Sequence, residues 1–146
     1  MLGQKALVLL IEDNADHAEL VIRSLGTAPI EKIIHLTDGE TALDYLLRRK
    51  QYADPKSSPL PHLILLDLRL PRIDGLEVLR TLKTSETLAH IPVVVLTTSQ
   101  AEQDILRAYN LNANCYISKP VDLDQFMKVI KTIKEFWLTI VKLPSG

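Results

Sequence analysis

Five short apolar runs alternate with helical patterns along the chain, and they predict an α/β fold. The expected architecture is a (βα)5 unit, a doubly wound five-stranded parallel sheet with helices on both faces. Two observations carry this. The runs KALVLLI (Lys5–Ile11), LILL (Leu63–Leu66) and PVVVL (Pro92–Leu96) are continuous rather than alternating, as in strands covered on both sides. Between such runs, apolar residues recur at three- and four-residue spacing.

After the first strand, Asn14–Leu25 carries Ala18, Val21, Ile22 and Leu25 on one helical face. Glu31–Leu36 (EKIIHL) reads as a short second strand, and Asp38–Arg49 as a helix opened by Thr37-Asp38-Gly39. Lys50–His62 holds three prolines and two serines and reads as a loop. Leu63–Leu66 is the third strand, Gly75–Lys83 the third helix and Pro92–Leu96 the fourth strand. Glu102–Tyr109 is the fourth helix and Asn114–Ile117 the fifth strand; Asp122 caps a last helix running to about Trp137. With no repeat and no linker, residues 1–146 form one expected domain, its core at about 5–137 and an extension at about 138–146. No output domain is expected.

Composition narrows the function. A length of 146 residues suits one domain, and 47% apolar with 24% charged residues is the mix of a globular protein. The formal charge of −1 offers no basic excess or stripe for nucleic acid. Ala6–Ile11 is too short to span a membrane, and the two acids after it do not suit a signal peptide. A cytoplasmic protein with no DNA or membrane partner is expected. The single cysteine, Cys115, excludes an internal disulfide framework and reads as a buried structural thiol.

In an open parallel sheet, ligands bind outside the carboxyl ends of the strands. Strand one ends in Glu12-Asp13, strand three in Asp67 and strand four in Thr97-Thr98-Ser99, while strand five runs into Ser118-Lys119-Pro120. Strand two ends in Leu36-Thr37, so a polar set does not stand at every strand end. Three carboxylates repel one another unless a cation joins them, and hard oxygen donors suit Mg²⁺. Asp13 and Asp67 are natural direct ligands, with Glu12 acting through water and the backbone carbonyl of Arg69 adding an oxygen. An Asp can also accept a phosphoryl group as an acyl phosphate. Lys119 can then neutralise the phosphoryl oxygens, and the Thr97 hydroxyl can donate to them. Singly, each residue has an ordinary reading: Asp13 or Asn14 as a helix cap, Asp67 as a cap or solvated acid, Thr97 as a satisfied hydroxyl, Lys119 as a surface lysine.

The motifs LLIEDN (Leu9–Asn14), LLDLRLPRIDG (Leu65–Gly75), VVVLTTS (Val93–Ser99) and YISKP (Tyr116–Pro120) resemble the receiver domain of two-component response regulators. The resemblance spans about residues 5–137. It implies a flavodoxin-like receiver fold with strand order 2-1-3-4-5. It implies phosphorylation of Asp67 by a histidine kinase, with Mg²⁺ at Glu12, Asp13 and Asp67 and with Mn²⁺ or Ca²⁺ able to stand in for it in crystals. Thr97 matches the switch hydroxyl, Lys119 the phosphate-contacting lysine and Tyr116 the aromatic that changes rotamer. The Lys119–Pro120 bond matches a family cis peptide. The surface of helix four, strand five and helix five is the implied switching face. Receivers catalyse their own phosphotransfer and dephosphorylation and are not turnover enzymes.

Two stretches, QYADPKSSPLPHLILLDLRLP and EFWLTIVKLP, resemble a subgroup that serves cyanobacterial phytochromes, implying a phytochrome-type kinase. In the last helix, Leu123, Phe126, Met127, Val129, Ile130, Ile133, Phe136 and Trp137 cover roughly 160–200° of arc, where about 100° suffices to bury one face. Either the core beneath is thick, or the surplus packs on a second subunit or a kinase. A homodimer through this helix and the tail is the sharper expectation. Arg69 and Ser99, each two residues past a site residue, are positioned to tune water access to the acyl phosphate. His17, His35, His62 and His90 show no metal-ligand spacing and read as surface or boundary residues; His17 lies nearest the pocket. A Mg²⁺-dependent phosphohydrolase with an aspartyl nucleophile is the chief rival. It would carry a second acid where Arg69 stands. A degenerate receiver would need a broken acid pocket, and the downstream target is not readable.

Overall fold

The computed structural model describes residues 6–26, 30–97, 115–118 and 123–136. Its parallel strands are β1 (Ala6–Ile11), β2 (Ile30–Leu36), β3 (Leu63–Asp67), β4 (Val93–Thr97) and β5 (Cys115–Ser118). They lie in the order β2-β1-β3-β4-β5, as the resemblance implied. The described helices are α1 (Ala15–Leu25), α2 (Gly39–Leu46), α3 (Gly75–Thr84) and a C-terminal helix (Leu123–Glu135). The expected helix at Glu102–Tyr109, the Asp122 cap, the Lys119–Pro120 bond and the tail from Trp137 onward lie outside the described residues.

The continuous apolar runs divide between two cores. Leu9, Ile11, Ile64, Leu66, Val93 and Val95 pack against α2 and α3. Their alternates Val8, Leu10, Leu63, Leu65, Val94 and Leu96 pack against α1 and the C-terminal helix, through Ala18, Val21, Leu25, Phe126, Ile130 and Ile133. A strand between two helical layers needs no polar face, which is why these sequences do not alternate. Side chains such as Leu65 and Ile64 are fully buried, and each contributes about 1.5–3 kcal/mol by leaving water. β2 lies at the sheet edge and exposes Glu31 and Lys32.

Side-chain caps fix where the first three helices begin. Asn14 accepts the His17 N–H, Asp38 accepts the Thr41 N–H and Asp74 accepts the Leu76 N–H. The ordinary capping role weighed for Asp13 or Asn14 thus belongs to Asn14.

Most expected boundaries shift by a single residue, and two readings change by more. α2 stops at Leu46 rather than Arg49, because Arg48 and Lys50 take left-handed φ values of 55° and 54° and turn the chain back. The expected loop Lys50–His62 contains two 3₁₀ turns, Lys50–Tyr52 and Pro55–Ser57. This segment is latched to α2. The Tyr45 hydroxyl donates to the Pro59 carbonyl at 2.6 Å, and the Tyr45 and Tyr52 rings meet edge to face at 5.2 Å. The fully buried Ser58 hydroxyl donates to the Tyr52 carbonyl at 2.8 Å.

Burial pushes the Tyr45 phenol up to about 12 from 10.0, more than the nearby Arg48 lowers it. The folded chain therefore keeps this proton where the unfolded chain loses it. Its contribution is full below pH 10.0 and is lost as pH rises toward about 12. Tyr45→Phe should lower Tm by about 3–4 °C at neutral pH, the loss of a hydrogen bond worth about 1 kcal/mol. Urea melts should also show a shallower alkaline fall in stability. An unchanged Tm together with an unchanged alkaline slope would remove the latch from this account.

Candidate functional site

Strand order reverses between β1 and β3. The chain leaves β1 for β2 on one side, then crosses back to place β3 on the other. Connections that diverge in this way open a crevice at the carboxyl ends of the two strands. Glu12 and Asp13 follow β1 there, and Asp67 is the last residue of β3.

One carboxylate oxygen from each of Glu12, Asp13 and Asp67 lies within 4.8 Å of the others. Glu12 and Asp67 are buried, at 1% and 5% exposure, while Asp13 is open to solvent. The backbone holds this arrangement. The Glu12 N–H donates to the Leu36 carbonyl at 3.0 Å, continuing the β1–β2 ladder past the end of β1. The Glu12 carboxylate accepts the Asn14 N–H at 3.2 Å, and the Glu12 carbonyl lies 2.8 Å from His35 Nε2. A carbonyl can only accept, so His35 donates from Nε2.

Asp67 is fixed by the loop that follows it. The Arg69 N–H donates to Asp67 Oδ1 at 3.0 Å, which folds the chain back just past the strand. The Gly75 N–H closes on the Leu68 carbonyl at 3.0 Å. A Cβ at Gly75 would run into the Asp67 carbonyl and the Leu68 backbone, so only glycine fits where α3 starts. Farther along, the Gly39 N–H donates to the Pro71 carbonyl, and Arg72, at φ 68°, pairs with Glu40 at 2.8 Å. The loop is thereby tied to the start of α2.

The donor set is all oxygen, two buried carboxylates and one exposed, converging from two strands. Carboxylates this close repel, and the repulsion is costly where water is excluded. A divalent cation removes it, and oxygen donors fit such an ion. Among the described residues, no other group of three or more acids, histidines or cysteines converges in this way. His17 instead lines a surface groove on α1 with Asp16, Glu19, Leu20 and Arg23.

The remaining expected residues stand differently. Thr97 ends β4, next to β3, where Asp67 pairs with Leu96 and Thr97 with Ser118. Tyr116 lies within β5 opposite Val95. The side chains of Thr97, Tyr116 and Cys115 are not among those described, and Ser99 and Lys119 lie outside the described residues altogether. Arg69 is exposed beside Asp67. Sequence reasoning missed His35, which it had read as a boundary residue. The available signal was its place in β2, one residue before the strand's end and in register with Leu10.

The response regulator receiver domain model matches residues 8–131. Response regulator Rcp1 of Synechocystis sp. is 43% identical over 141 residues, covering 96% of this chain and 94% of Rcp1. The crystal structure of the phosphorylated cyanobacterial phytochrome response regulator RcpA superposes with a TM-score of 0.90 at 43% identity, covering 97% of this chain and 99% of RcpA. The Mn²⁺-bound form of Rcp1 gives 0.89 at 42% identity, covering 96% of this chain and 99% of that one. With the parallel sheet in the order β2-β1-β3-β4-β5 and the acidic group at its switch point, the chain belongs to the response regulator receiver domain family.

Proposed function

We propose that Asp67 accepts a phosphoryl group from a histidine kinase, with Mg²⁺ held by Glu12, Asp13, Asp67 and the backbone carbonyl of Arg69. The observation that carries this reading is the convergence of the three acids within 4.8 Å at the switch point of the sheet. Receiver domains are the partners of histidine kinases in two-component signalling, and the Mn²⁺-bound Rcp1 structure supports a divalent ion.

In the transfer, an Asp67 carboxylate oxygen attacks phosphorus. The P–O bond forms as the P–N bond to the kinase histidine breaks, and that nitrogen keeps the electron pair. The cation's chemistry is to neutralise charge on the phosphoryl oxygens. Asp67 offers its carboxylate from a rigid strand end, its orientation held by the Arg69 N–H. Lys119 supplies positive charge to the phosphoryl group and Thr97 a hydroxyl donor. Thr97 moving inward lets Tyr116 follow, so phosphorylation shifts a two-state equilibrium at the face built around β5 and the C-terminal helix. Exposed Arg69, with Ser99, sets water access to the acyl phosphate and so its lifetime. The domain serves its own phosphotransfer and dephosphorylation, as a switch in the cytoplasm.

Likeness to RcpA supports a phytochrome-type kinase as the partner. A homodimer through the C-terminal helix is part of the same reading. That helix buries Phe126, Ile130 and Ile133 in the core and leaves Met127 and Val129 half-buried, and Phe136, just past its end, is 47% exposed.

With Mg²⁺ and acetyl phosphate, the wild-type chain should gain one hydroxylamine-sensitive phosphate and Asp67→Asn none. An autophosphorylated phytochrome kinase in place of acetyl phosphate tests the partner separately from the acceptor. Labelling of Asp67→Asn at the wild-type rate would defeat the assignment. Asp13→Asn removes one carboxylate charge from the pocket and should weaken Mg²⁺ binding at least tenfold in a calorimetric titration; an unaltered affinity would exclude Asp13 as a ligand. Sedimentation should show a dimer that Phe136→Glu dissociates, whereas a strict monomer at high concentration would rule the dimer out.

A further inference from the structure

We infer that His35 is a positioning residue for the acidic pocket, setting the direction in which Asp13 leaves β1 and hence the affinity of the site for a divalent cation. The inference rests on the reading that Glu12, Asp13 and Asp67 hold such an ion. It starts from the peptide that joins Glu12 to Asp13. That unit is planar, so fixing its oxygen fixes the plane from which the Asp13 Cα and side chain project.

The ladder between β1 and β2 does not fix that oxygen. Its last contact here is the Glu12 N–H on the Leu36 carbonyl. A further backbone rung would need a donor from beyond Leu36, where β2 has ended and Asp38 already caps α2. The side chain of His35 reaches the Glu12 carbonyl instead, at 2.8 Å and from 23 residues away. His35 is half-buried on β2, and its alternation partner Ile33 packs in the core beneath α1. The ring therefore rises from a rigid strand rather than from a loop. Three of the contacts that hold Glu12 are its N–H on Leu36, its carboxylate on Asn14 and its carbonyl on His35. Of the three, the contact at the carbonyl bears on the peptide plane leading to Asp13. Asp13 is the exposed acid of the group, with the least packing to hold it in place.

The test is Mn²⁺ binding followed by the electron paramagnetic resonance of the free ion, with melting in EDTA as the fold control. His35→Leu keeps similar bulk and loses the donor. His35→Gln places an amide N–H near the position of Nε2. The expected result is a Kd for Mn²⁺ raised about tenfold in His35→Leu and returned to within about threefold of wild type in His35→Gln, with EDTA melting temperatures alike. Wild-type affinity in His35→Leu, or equal weakening in both variants, would overturn the inference. If His35→Leu does not fold, His35→Asn, whose amide is too short to reach, takes its place beside His35→Gln with the same criteria. Asp13→Asn in the same titration separates the levels. A wild-type chain that binds no Mn²⁺ sinks the metal reading and this inference with it, whereas normal binding in wild type, loss in Asp13→Asn and no change in His35→Leu sinks the role of His35 alone.

Discussion

Like charges do not gather without something to hold them, and this fold gathers Glu12, Asp13 and Asp67 within 4.8 Å while burying two of them. Much of the local architecture answers that constraint. β1 and β3 lie side by side in the interior of the sheet, packed on both faces, so neither strand end can yield to the repulsion. Backbone N–H groups of Asn14 and Arg69 are turned onto the Glu12 and Asp67 carboxylates. Both donors belong to tight turns, and each turn also starts the path into the next helix. The geometry that presents the acids and the geometry that begins α1 and α3 are one construction.

Much of this was legible in the sequence because it rests on local chemistry. Continuous apolar runs at β1, β3 and β4 read as strands between two layers, and with the helical spacing between them they gave a parallel sheet. Given such a sheet, polar residues at strand ends were the place to look, and three acids do converge there. The order of strands came from the resemblance and not from periodicity.

What the sequence hid was of two kinds. The end of α2 was placed three residues late, since Leu47, Arg48 and Arg49 continue a good helical composition. The chain turns at Arg48 and Lys50, two residues with side chains in a conformation that composition assigns to glycine. The role of His35 was hidden for a different reason. Its place near the end of β2 marked it as a polar residue close to the rim, but its partner is the backbone of Glu12, and a local pattern does not say which carbonyl 23 residues away a side chain will reach. Gly75 was placed at the start of α3, but its closeness to the Asp67 carbonyl follows only from the folded loop.

The two connections that flank β3 contrast in how much slack they hold. The segment after Asp67 is pinched, with Gly39 at one wall and Gly75 at the other, both pressed against its backbone. The segment before Leu63 makes its own 3₁₀ turns and fastens itself to α2 through Tyr45. It enters β3 at the amino end, a full strand length from the acids. Extra residues can therefore collect there without disturbing the chemistry, whereas one residue added between Leu68 and Asp74 would shift the backbone that Gly39 and Gly75 press against beside Asp67. Length variation among proteins of this architecture is accordingly expected at the amino-end connection, with the other held constant.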